Sequence, residues 1–167
     1  MHVRVRRSLK YRLLIVGGIV ALIAGLIAYG VMFPPTYEAA VDLPGTTSRI
    51  SVQLQPMHPY LAEYRRYLVL QKGGMPDKRV ELFADTGGYS RTQLYKLPDG
   101  RFRVDGFFDS VIVDPVQHQI SDAGRVREKG TYLGAFQNVK QSQWTEWRFL
   151  SSAESPEETL DAEQRIR

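Results

Sequence analysis

The sequence predicts a mainly β protein: a single N-terminal transmembrane helix followed by one antiparallel β-meander domain with at most one short helix. Three observations carry this. Residues 13–33 run for 21 positions without a charge, residues 48–150 break into short runs with period-two alternation, and Gly, Pro and Asp punctuate those runs. A meander of this kind folds as a curved sheet, a small barrel or a sandwich, and its strand order is not readable from the chain.

At the helical rise, 21 residues span about 31 Å, the thickness of a bilayer's hydrocarbon core. Arg4, Arg6, Arg7, Lys10 and Arg12 precede the run, none of the 18 acids does, and Pro34-Pro35 stop it. Basic residues beside a spanning helix stay on the cytoplasmic side. Residues 1–12 therefore read as a basic cytoplasmic arm of a bacterial inner-membrane protein, with the domain in the periplasm. A cleaved signal peptide has a shorter apolar core and a small-x-small site, for which Ala28-Tyr29-Gly30 is a poor match, so the expectation is a retained anchor. Gly17, Ala21 and Gly25 recur every four residues, a spacing that lets two membrane helices pair closely, with a second copy or another protein.

The charge balance changes once the arm is set aside. Five of the 22 basic residues lie there, leaving 17 against 18 acids, so the sequence pI of about 9.4 belongs to the arm. Nucleic-acid binding loses its support, because it needs a basic domain surface. The chain contains no cysteine, which excludes disulfides, thiolate metal sites and a cysteine nucleophile.

Residues 34–47, with Pro-Pro and Leu-Pro-Gly, read as a stalk. Arg49 to Gln55 alternates strictly, placing Ile50, Val52 and Leu54 on one face of a strand. Tyr64–Gln71 and Arg79–Ala84 flank Gly73-Gly74 as a long hairpin, after a turn of helix near 59–63. Ser90–Leu97 and Arg101–Asp105 form a second hairpin around Pro98-Asp99-Gly100. In it Leu94, Phe102 and Val104 point inward, and Arg101, Arg103 and Asp105 face water. Val111–Val113, Tyr132–Phe136 and Trp144–Leu150 complete seven or eight strands. Residues 151–167, rich in acids and poor in large apolar side chains, are expected to be a flexible tail or a frayed helix.

Asp85-Thr86-Gly87, at the end of a strand, is the sharpest enzyme-like string. It resembles the Asp-Thr-Gly loop of aspartic proteases, and the resemblance implies a carboxylate paired with its twin from a second lobe or subunit, sharing one proton. The match covers three residues, occurs once and continues with Gly88-Tyr89 where that family has a small and then a polar residue. The bland reading is a tight turn. His58 and His118 lie in loops as solvated or capping groups, and no ligand set for a metal or cofactor is legible.

Tyr64, Arg66, Tyr89, Arg91, Trp144 and Trp147 are residue types enriched where proteins bind one another. They mark the expected binding surface. The function expected is non-enzymatic: a tethered domain that binds another envelope protein, as subunit or scaffold of an envelope complex or as an immunity or exclusion protein. The alternatives are an envelope enzyme using Asp85, and a β-barrel that binds a lipid or small molecule in its interior.

Overall fold

The computed structural model describes residues 3–33, 35–58, 61–86, 91–124, 129–141 and 144–160. The chain divides into two units, Met1–Pro35 and Thr36–Arg167. The first is helix α1, Val3–Met32, so the helical backbone begins ten residues before the apolar run. Its stretch Tyr11–Met32 counts 22 residues, none of them buried. That length corresponds to about 33 Å, enough to cross a membrane. No atom would meet a Cβ built on Gly17 or Gly25, so the face with Gly17, Ala21 and Gly25 is open.

The second unit consists of two antiparallel sheets, and they do not close into a barrel. The first sheet runs in sequence order through β1 (Tyr37–Asp42), β2 (Ser48–Pro56), β3 (Tyr64–Lys72) and β4 (Lys78–Asp85). The second contains β5 (Thr92–Lys96), β6 (Phe102–Asp105), β7 (Ser110–Asp114), β8 (Gln119–Asp122), β9 (Thr131–Gln141) and β10 (Trp144–Ser151). Its order is β10-β9-β5-β6-β7-β8, so the chain returns from β8 to pair β9 with the other side of β5. The alternative of a closed barrel with a lumen for a lipid or small molecule is therefore not met; the space between the sheets is packed core.

Alternation explains that core. Ile50, Val52 and Leu54 of β2 and Leu68 and Leu70 of β3 face Leu94 of β5, Phe102 and Val104 of β6, Val113 of β7 and Phe136 of β9 in one buried cluster. Burying such a set from both sheets supplies the main driving force for the fold. Trp147 ties the layers together, its Nε1–H donating to the Val52 carbonyl at 2.9 Å. The turn at 98–100 is as read: Gly100 takes φ +87°, and Leu97 N–H donates to Arg101 O at 2.8 Å. β9 carries an irregularity against β5 where Gly134 sits at φ +149°. A Cβ there would lie 2.2 Å from the Leu150 carbonyl oxygen, so glycine is demanded by both angle and space.

Four features differ from the expectation. The stalk is largely a strand: Tyr37–Asp42 is β1, paired from Tyr37↔Leu54 to Asp42↔Arg49. Ala39 and Ala40 gave it no β signature, and its identity comes from the neighbour rather than from local preference. β8 is likewise a short strand without alternation, recruited by β7. The supposed tail is packed as far as Leu160, for reasons given below; its last residues lie outside the described ones. Residues 61–63 are not helical, and 59–60 also lie outside them.

Candidate functional site

Residues of the expected binding surface separate on inspection. Tyr64 is half-buried and packs its ring edge-on against Tyr37, with centroids 6.2 Å apart. Tyr89 and the side chain of Trp144 lie outside the described residues. Arg66 and Trp147 are turned inward and Arg91 is covered on the opposite face of its sheet, with 2 %, 6 % and 7 % of their surface exposed, which corrects their assignment to an open surface. For Arg66 and Trp147 the signal was in the sequence. Arg66 shares parity with Leu68 and Leu70, and Trp147 with Phe149, so a regular strand puts both on the core side.

Arg66 is the hub of a buried polar cluster at one end of the sheets. Its guanidinium donates to Thr92 Oγ1 and to the Phe83 carbonyl (3.2 Å), and lies 3.7 Å from Asp109 Oδ1. Burial pulls its pKa below the ordinary value while Asp109 and then Asp85 push it back up, so the two carboxylates sustain the charge. Asp85, buried at the end of β4, thus belongs to the same cluster as Arg66 and Asp109. Asp109 Oδ2 in turn accepts the Phe83 amide at 2.6 Å. The short loop 106–109 is closed by Gly106 N–H donating to Asp109 O at 2.8 Å, and a Cβ on Gly106 would meet Asp109 Oδ1 at 1.9 Å.

This cluster holds an apolar feature at the surface. Phe83, on the free edge of β4, and Phe108, in the loop after β6, are 53 % and 63 % exposed. Their ring centroids stand 4.9 Å apart, and Phe107 sits edge-on to Phe108 at 4.5 Å. The three line a cleft of about 470 Å³ together with Leu82, Val111 and Ile120. Paired, solvent-exposed phenylalanines held by a buried ion-pair network are rigid and apolar, the character of an anchor for a protein partner. Phe107 and Phe108 are adjacent in the sequence and of an aromatic type enriched at binding surfaces. Phe83 was missed because its alternation partner, Glu81, made that strand face look merely solvated.

The remaining candidates do no comparable work. Among the described residues no group of three or more His, Asp and Glu converges as a metal site. His118 is buried rather than solvated, its Nε2 standing 2.8 Å from the Pro76 carbonyl oxygen. Compared with family models, curated proteins and solved structures, the chain shows no match, so what it does is argued from its own residues.

Proposed function

We propose that the chain is a single-pass protein of a bacterial inner membrane, with its N-terminus in the cytoplasm, whose periplasmic two-sheet domain binds another envelope protein. The observation that carries the binding role is the exposed Phe83–Phe107–Phe108 cluster on a buried Arg66–Asp109 support. The membrane assignment rests on the 22-residue apolar span Tyr11–Met32, and the orientation on five basic residues before the uncharged run 13–33 against no acid. Tethering raises the local concentration of the domain beside its partner and fixes its approach, so a modest interface suffices. A subunit or scaffold of an envelope complex and an immunity or exclusion protein both use such a surface.

The test is a crosslinking pull-down of tagged full-length protein from native membranes, comparing wild type with Phe83→Ser/Phe108→Ser. Both side chains are exposed, so the fold tolerates the change. Loss of one captured envelope protein with the double variant is the expected result. An identical set of captured proteins from both would overturn the assignment. Orientation is read separately: alkaline phosphatase fused after Arg167 is expected to be active and after Met1 inactive.

A further inference from the structure

The outer face of the six-stranded sheet reads backbone. Arg91, which opens the stretch leading into β5, and Gln93 and Tyr95 on β5 point away from the core, as do Tyr132 and Gln137 of the neighbouring β9. After β10 the chain turns back and lays residues 155–158 along them. Gln93 bonds the peptide of Glu158 in both directions, Nε2 donating to Glu158 O and Oε1 accepting from Glu158 N, each at 2.8 Å. Arg91 donates to Pro156 O at 2.5 Å and Ser155 Oγ at 3.0 Å, and pairs with the Glu158 carboxylate at 3.1 Å. Tyr132 donates to Ser155 O at 3.0 Å and Tyr95 to Glu157 Oε1 at 2.9 Å. A carboxamide reading a peptide group in both directions is how an extended ligand is held in register, and an arginine beside it selects acidic residues.

The occupant itself is loosely invested. Pro156, Glu157 and Glu158 are exposed, and the first large apolar side chain to anchor this segment is the buried Leu160, two residues beyond it. Below their far end a cleft of about 440 Å³, lined by Tyr95, Arg103, Asp105 and Phe107, continues past the strap. We propose that this face is a groove for an extended peptide bearing a small hydroxyl residue, a proline and then acidic residues. Residues 155–158 occupy it in the resting chain and give way to such a segment on a partner. The inference rests on the reading of the domain as a binding module and adds to it a second, gated surface, separate from the phenylalanine edge.

An intramolecular strap competes at high effective concentration, so a free peptide sees only the fraction of grooves that stand open. The experiment uses full-length protein in detergent and a fluorescein-labelled peptide with the sequence of residues 151–160, followed by anisotropy. Glu157→Lys/Glu158→Lys weakens the strap without touching the groove. That variant is expected to bind the peptide about tenfold more tightly than wild type. Adding Gln93→Glu, which keeps the acceptor but loses the donor, is expected to remove most of that gain. Hydrogen exchange on the unaltered protein supplies the second measurement: the Glu158 amide is expected to exchange by local opening, well before the amides of β5. Equal peptide affinity in wild type and the folded strap variant would overturn the proposal. So would a Glu158 amide that exchanges only when β5 does. The assay uses purified protein, so its failure leaves the pull-down result standing, and loss of capture there leaves peptide binding intact.

Discussion

The two faces of the six-stranded sheet are both covered, but by opposite chemistry. The inner face carries Leu94, Phe102, Val104, Val113 and Phe136 and is sealed by the other sheet. The outer face carries Arg91, Gln93, Tyr95 and Tyr132, which are covered by the chain's own strap. Apolar burial is non-directional and tolerates sliding, whereas a hydrogen-bonded cover is directional and has one register. The comparison teaches that the inner face sets stability, while the outer face sets where one particular segment lies.

The strongest way to break the inner face is Trp147→Ala. It empties a buried indole site and removes the bond to the Val52 carbonyl, for an expected loss of about 3–5 kcal/mol in denaturant unfolding. On the outer face, Arg91→Met is the largest single change. It strips donors from Gln137, Ser155, Tyr132 and the Pro156 carbonyl, with an expected cost of about 2–3 kcal/mol. Its sharper signature is local: cleavage by a glutamate-specific protease at Glu157 and Glu158 is expected to accelerate before the near-ultraviolet spectrum of the core changes. If the strap were structural filler, cleavage and core unfolding would move together.

Tyr95→Phe should be milder, about 1 kcal/mol, and pH-dependent. Burial first, and then the bond to Glu157, raise the Tyr95 hydroxyl above its ordinary value of 10.0. A group held protonated in the folded state contributes fully below the unfolded pKa, and its contribution is lost as pH rises through the folded one. Wild type is therefore expected to lose its advantage over Tyr95→Phe progressively above about pH 10. Tyr64 and Tyr132 shift in the same direction, so the difference between the two proteins isolates Tyr95. Parallel stability curves across that range would mean that the Tyr95 contact with the strap contributes nothing.

The same contrast explains what the sequence let one read. Ile50, Val52 and Leu54, or Leu94 with Phe102 and Val104, announce themselves by alternation because one face of a strand is apolar and the other is not. Arg103 defeats that logic. Its parity with Arg101 and Asp105 suggested water, yet it lies buried over the Tyr95 ring, 4.6 Å from its centroid, with its Nε bonded to Asp105 at 3.0 Å. Nothing local distinguishes an outward-facing arginine in solvent from one packed on a neighbouring ring and paired with a carboxylate. The strap is just as silent: Ser-Pro-Glu-Glu has the composition of a disordered end, and its order comes from partners on β9 and, more than 60 residues away in sequence, on and beside β5. For the candidate site, the phenylalanines of the loop were visible as residue types. Their support was not, because Arg66 and Asp109 meet only once the sheets are stacked.

Phe83 has one more consequence. β4 is a sheet edge, and an edge normally offers a free ladder to any passing strand. Here the Phe83 amide is taken by Asp109 and its carbonyl by Arg66, at a point where β4 bulges against β3. A second copy trying to zip along β4 would find the ladder interrupted and the strand bent out of line. Between identical domains at high concentration, that interruption works against joining edge to edge along β4, while the Phe83 ring itself stays exposed.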